Sequence, residues 1–298
     1  MNPVFSTIDL HFLGDEQTIA AFLVITDLGP VLVETGPYST WDYLEQGIQR
    51  LGFDIREIKH VFLTHIHFDH AGAAWALAEH GANIYVHPLG APHLQSPERL
   101  LESARRIYGD QMDTLWGAIR PITAERIRVA NHEDTFKLGN TVFKAWHTPG
   151  HAVHHIVWQV GDVMFTGDVA GVSINGGLVV PPCPPPDIQL DHWRQSIQLI
   201  RDLNPVELQL THYGRVTDVK GHLEALETRM NVWEQWMLPH YLAGHSVEEI
   251  TPLFQAFTDE ELRQNGISDA DLEKYNKANP VWMSVSGLMR YLKKKESY

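Results

Sequence analysis

Two rhythms of apolar and polar positions divide this chain. In the first part, short runs rich in Val, Ile and Phe alternate with amphipathic stretches; from Gly221 onward apolar residues recur at three- and four-residue spacing. Residues 4–12, 19–26 and 30–34 read as strands, with Leu28-Gly29-Pro30 as the turn between the last two. Ser39 is placed to cap a helix running to Leu51 and ended by Gly52. Val61 to Thr64 is an apolar, β-branched run that reads as a buried strand, Ala71 to His80 as the helix after it, and Asn83 to Val86 as the next strand. Residues 97–120 break this rhythm with a helical pattern opened by Pro97, carrying Tyr108, Met112, Leu115 and Trp116. As an insertion it is a candidate substrate wall or lid, the other reading being that these residues only fill its own core.

The second half repeats the order of the first, with strands expected at 126–130, 134–138, 141–147, 153–160 and 162–166, a helix at 190–203 and a short strand from Glu207 to Leu210. Two such halves fit an α/β sandwich with sheets inside and helices outside, ligands from both halves meeting at one edge. Residues 171–188 are irregular and include Pro181-Pro182-Cys183-Pro184-Pro185-Pro186, which forms neither helix nor central strand and reads as a stiff loop, pocket wall or connector. In the tail, Leu223, Leu226, Met230, Trp233 and Met237 form a helical stripe, and further helices are expected at 246–257, 258–264, 268–278 and 281–294. The expected division is a catalytic domain at 1–218, with the 97–120 insertion, and a helical extension at 219–298.

Composition narrows the function. A formal charge of −14 over 298 residues argues against a general affinity for nucleic acid or for an anionic membrane. Cys183 is the only cysteine, so no intrachain disulfide can form, and its proline flanks leave it without a base. Met1-Asn2-Pro3-Val4 carries neither a basic segment nor an apolar run, and no stretch approaches the roughly 20 apolar residues of a bilayer span, so the expected location is cytoplasmic.

The chemistry concentrates in Thr64-His65-Ile66-His67-Phe68-Asp69-His70-Ala71-Gly72. His65 and His67 sit two apart in extended chain and can face the same side. Asp69 and His70 fall at the turn into a helix, where the dipole favours a carboxylate. Imidazole and carboxylate oxygen are the ligands that borderline-soft divalent metals prefer, and the carboxyl end of a strand is where α/β folds build their sites.

His65-x-His67-x-Asp69-His70 resembles the hallmark of the metallo-β-lactamase superfamily of metal-dependent hydrolases. Thr148-Pro149-Gly150-His151 resembles its next motif, Phe165-Thr166-Gly167-Asp168 its bridging-aspartate motif, and Thr211-His212-Tyr213-Gly214 its last ligand, in the family's order over about residues 5 to 215. The resemblance implies a four-layer αββα sandwich. It implies one metal held by His65, His67 and His151, a second by Asp69, His70 and His212, and Asp168 bridging them. Two divalent ions follow, zinc first, with iron or manganese accepting the same ligands. The implied reaction is attack by a metal-bridging hydroxide on a small ester-like molecule, a lactone or thioester, with Asp69 or Asp168 passing a proton to the leaving group. A phosphodiesterase and a di-iron redox or oxygen-binding protein are the alternatives, although the oxygen-reducing relatives carry Glu where His67 stands. The first motif resembles that of the quorum-signal lactonases, but Val169-Ala170-Gly171-Val172 lacks the tyrosine those place after the bridging aspartate. The basic glutathione-binding stretch of glyoxalase II types has no match around His212. The implied partner is a small molecule, and the helical tail can cover the site or form a homodimer.

Several residues carry two readings. Glu34, where many family members have Asp, either supports the metal loops or is a turn acid on the rim. His154 and His155 can orient a ligand or the substrate. His147 and His87 read as packing histidines, and Tyr213 as a core tyrosine or a donor to an oxyanion.

Overall fold

The computed structural model describes residues 4–296. One sheet holds β1 (Val4–Asp9), β2 (Ala20–Thr26), β3 (Gly29–Val33), β4 (His60–Phe62), β5 (Asn83–Val86) and β6 (Ile127–Val129), side by side in that order. The other holds β7 (Thr135–Leu138), β8 (Thr141–His147), β9 (Ile156–Val160), β10 (Val163–Phe165), β11 (Glu207–Leu210) and β12 (Gly214–Val216), again in chain order. In the first sheet β3 through β6 pair in parallel, each connection crossing over through helices. In the second only β10 and β11 are parallel, joined by the helix Leu190–Leu203.

Alternation along the strands makes the layers. Phe22, Val24, Val31, Val33 and Phe62 face Phe143, Ala145, Ile156, Trp158 and Phe165 between the sheets. Their neighbours Ala21, Leu23, Leu32, Val61 and Leu63 face the other way, into a core shared with the helices Trp41–Arg50 and Ala74–Glu79. On the far side, Trp146, Val157, Met164, Leu208 and Leu210 pack against Leu190–Leu203. The same core takes in the four tail helices, Val219–Leu242, Val247–Gln264, Asp269–Ala278 and Val281–Lys295, whose stripe of Leu223, Leu226, Met230, Trp233 and Met237 is buried. The result is the expected αββα sandwich with C-terminal helices. None of the helices described is long and apolar enough to cross a membrane.

Some local expectations fail for physical reasons. The strand expected at 126–130 belongs to the first sheet, not the second half, because the helical stretch after β5 returns the chain parallel beside it. The helix Ala71 to His80 is two short ones, Phe68–Ala71 and Ala74–Glu79, broken where Gly72 packs against Pro37 too closely for a Cβ. Ser39 caps nothing: its hydroxyl donates to the Leu115 carbonyl at 2.7 Å, and the helix starts at Trp41 after a single 3-10 turn. Residues 246–257 and 258–264 form one helix, capped by Ser246 and Glu249 reciprocally.

Phe62 is the keystone of the intersheet layer, stacked 4.1 Å from Phe143 and 4.3 Å from Tyr85, with Trp158 edge-on at 4.8 Å. Phe62→Ala is expected to cost about 3–5 kcal/mol, read from the chemical denaturation midpoint of the purified protein.

Candidate metal centre

Every side chain singled out for metal binding lies just past the carboxyl end of a strand. His65, His67, Asp69 and His70 follow β4, His151 follows β8, Asp168 follows β10 and His212 follows β11. Because β4 lies in one sheet and the others in the facing sheet, the four loops meet along one edge of the sandwich. Three sets of donors gather there, with ligand atoms within 4.8 Å of one another: His65, His67 and His151; Asp69, His70 and His212; and His65, His70 and Asp168.

The hydrogen bonds on the outer ring atoms decide what the inner ones can do. His151 Nδ1 donates to the Pro182 carbonyl at 2.9 Å, and His212 Nδ1 to the Thr18 carbonyl at 2.8 Å. His70 Nδ1 donates to Glu34 Oε1 at 3.0 Å. The Thr64 hydroxyl donates to the same carboxylate, so its oxygen accepts from His65 Nδ1 at 3.0 Å. A neutral imidazole holds one proton, so Nε2 of His65, His70, His151 and His212 presents a lone pair. His67 differs, turning Nδ1 inward to within 2.9 Å of His65 Nε2 and 3.0 Å of His151 Nε2. Across the centre His70 Nε2 and His212 Nε2 face each other at 3.3 Å.

Asp168 sits between the groups, with Oδ2 3.3 Å from His151 Nε2 and Oδ1 3.1 Å from His70 Nε2. Oδ1 is buried without a hydrogen-bond donor in line with it among the described residues. So many inward acceptors without donors fit a cation, and the nitrogen and oxygen set suits a divalent one.

The two groups differ electrostatically. Burial, reinforced by neighbouring imidazoles, holds His65 well below the ordinary histidine pKa; burial first, then His151, takes His67 down to about 3. His151 is lowered too, mainly by burial, so all three are neutral and ready to donate a lone pair. Burial also opposes a charge on His70, but Asp168, Asp69 and Glu34 outweigh it and raise its pKa well above the usual value. The carboxylates thus favour positive charge at this point, which is where a cation would neutralise them.

Glu34 is a buried residue of this centre, not a turn acid on the rim. Besides Thr64 and His70 it takes the Thr211 hydroxyl at 3.4 Å, and its backbone sits at φ +65°, a conformation uncommon for a non-glycine residue. Gly167, at φ +48°, lies where a Cβ would strike the Thr64 hydroxyl at 2.4 Å. His155 is fully buried, bonded through Nδ1 to the Thr148 hydroxyl at 2.8 Å, and its ring lies 5.1 Å from that of His65. His154 is buried 5.8 Å from the His67 ring with its Nδ1 unpartnered. The rings of His87 and His147 lie 4.0 Å apart, tilted by 42°, and His147 Nε2 donates to the Ala130 carbonyl, so both pack the strand ends. Tyr213 donates to Asp9 at 3.2 Å. The carbonyls of Thr18 and Pro182 escape sequence reasoning, since a backbone acceptor leaves no mark on residue identity.

From the insertion, Trp116 lies 6.0 Å from Phe68, the residue between His67 and Asp69, and Tyr108 lies 5.2 Å from Trp116. Tyr108 also donates to the Met283 sulfur at 3.3 Å, linking the insertion to the last helix. Trp116 and Met112 are buried.

Glu34→Gln keeps the shape but removes the charge that orients His70. Metal affinity is expected to fall about 10–100-fold, measured by competition with a chromophoric chelator.

The family model described as Metallo-beta-lactamase superfamily matches residues 14–212. A metallo-beta-lactamase fold-containing protein, ST1585 of Sulfurisphaera tokodaii, is 29% identical over 182 residues, covering 59% of this chain and 69% of that protein. An atrochrysone carboxyl ACP thioesterase of Aspergillus fumigatus is 24% identical over 170 residues, 56% of this chain and 31% of that one. The crystal structure of ST1585 from Sulfolobus tokodaii superposes with a TM-score of 0.68 at 23% identity over 97% of this chain and 98% of that chain. A metallo-beta-lactamase family protein of Thermus thermophilus, TTHA1429, gives a TM-score of 0.71 at 18% identity over 98% and 94%. With the matched stretch spanning all four motif loops, this chain belongs to the metallo-beta-lactamase superfamily.

Proposed function

We propose that this chain is a binuclear metal-dependent hydrolase of a small ester-like substrate, a lactone or a thioester. The observation that carries the reading is Asp168, which turns one carboxylate oxygen toward each of two imidazole groups. His65, His67 and His151 would hold one divalent ion, Asp69, His70 and His212 the other, with Asp168 between them; zinc is the first expectation. Divalent ions held by these residues would supply an activated water near neutral pH and an electrophile for the carbonyl oxygen.

The chain's own groups then have separate tasks. Asp168 is almost wholly buried and holds the two groups in register. The side chain of Asp69 is 20% exposed, against 5% for Asp168. Burial would raise its pKa, but His70 and His212 bring it down to about 2, so it is ionised at neutral pH. It can take the proton released by the attacking water and return it to the departing alkoxide or thiolate. Cys183 is no competing nucleophile: it is buried, and burial pushes its thiol up. Tyr108 and Trp116 pack in turn behind Phe68 and back the loop between His67 and Asp69. The likeness to a relative named as a thioesterase supports the thioester half of the proposal.

Reconstitution with zinc, manganese or iron and assay on a panel of lactones, thioesters and phosphodiesters tests this. Turnover of a lactone or thioester is expected. Asp168→Ala is expected to lose the two-metal stoichiometry and fall to the uncatalysed background while keeping its circular dichroism. A variant with two metals and full turnover, or a wild type that cleaves only phosphodiesters, contradicts the reading.

A further inference from the structure

The loop Pro181-Pro182-Cys183-Pro184-Pro185-Pro186 has one backbone N–H, that of Cys183, because proline has none. That N–H is buried and donates to the Ser284 hydroxyl at 3.3 Å, and Ser284 in turn donates to Asn279 Oδ1 at 3.1 Å. One turn further along the helix Val281–Lys295, Gly287 leaves room for the loop: a Cβ there would lie 1.9 Å from the Cys183 carbonyl oxygen. Two turns beyond, Lys294 Nζ donates to the Pro186 carbonyl at 3.0 Å. Residues 284, 287 and 294 share one face at helical spacing, so a single helix grips the loop at its middle and its end. The residue next to Cys183 is Pro182, whose carbonyl accepts the Nδ1 proton of His151.

We propose that Ser284 and Gly287 are positioning residues for His151, acting through the proline loop. The last helix, far along the chain from its target, thereby sets the tautomer and aim of one metal ligand. Stiffness is what makes the coupling work. The Cys183 N–H held by Ser284 and the Pro182 carbonyl held by His151 belong to one planar peptide unit, so a shift of one carries the other with it, and the flanking prolines with their fixed φ narrow the ways the loop can relax. His212 and His70 donate their outer hydrogen bonds to Thr18 and Glu34, which are separate from this helix. The grip therefore serves the His65, His67 and His151 group and not the other.

This inference rests on the two-metal reading above, and the experiment separates the two. Metal-free wild type, Gly287→Ala, Ser284→Ala and Lys220→Ala, an exposed control, are titrated with Co²⁺ and Zn²⁺ by calorimetry, with thermal unfolding of the metal-free proteins alongside. In the wild type and the control two equivalents bind. In Gly287→Ala one equivalent is expected to weaken about 10–100-fold while the other is unchanged. Ser284→Ala, which leaves the Cys183 N–H unpaired without steric pressure, is expected to weaken the same equivalent by less, and keeps the test alive if Gly287→Ala does not fold. Two wild-type equivalents in a folded Ser284→Ala, or equal weakening of both, overturns the coupling. A wild type that binds no metal overturns the two-metal reading itself, and the coupling with it.

Discussion

Four imidazoles in this protein have their outer proton committed to a fixed acceptor, and the rest of the centre follows from that constraint. Once His65, His70, His151 and His212 donate outward, their inner nitrogens have only lone pairs to offer, and they offer them to one another and to Asp168. Buried acceptors facing acceptors cost on the order of 1–3 kcal/mol each when left unpaired, so the arrangement persists only where the surroundings over-determine it. Glu34 shows the scale of that determination. Its carboxylate collects Thr64, His70 and Thr211 while its backbone holds a conformation that few non-glycine residues adopt.

The sandwich supplies the rigidity. The loops after β4, β10 and β11 start from strands buried between the intersheet layer around Phe62 and an outer helical layer, and the loop after β8 starts from a strand whose Ala145 and Trp146 are buried. A loop leaving such a strand begins from a defined position and direction. Three of the four outer acceptors come from other parts of the chain, Thr18 before β2, Glu34 after β3 and Pro182 in the proline loop, while the fourth, Thr64, stands beside its own ligand His65. The centre is thus tied to several elements that have no ligand of their own. That includes the tail helices, which complete the outer layer of the second sheet.

Much of this was legible in the order of residues. The strand ending at Thr64 and the cluster after it announce themselves through periodicity and ligand chemistry, and the resemblance carried by Thr148 to His151, Phe165 to Asp168 and Thr211 to His212 points to loops that the fold does bring together. What was not legible has a common cause. Whether residues 127–129 join the first sheet or the second depends on the path of the crossover before them, which local pattern does not encode. The burial of Glu34 depends on Thr64 and His70 folding over it from 30 and 36 residues away. The carbonyl partners of His151 and His212 belong to the backbone, and any residue can supply one. Ser39 looked like a cap because local rules favour it there, yet a tertiary bond to Leu115 took its hydroxyl.

The central claim is that the inner lone pairs exist to hold a pair of cations. Anomalous diffraction from crystals grown with zinc tests it most directly. The account predicts two peaks about 3.5–4 Å apart, one beside His65, His67 and His151, the other beside Asp69, His70 and His212, with Asp168 touching both. A map with no peak among these residues, or with metal only elsewhere on the surface, would contradict it.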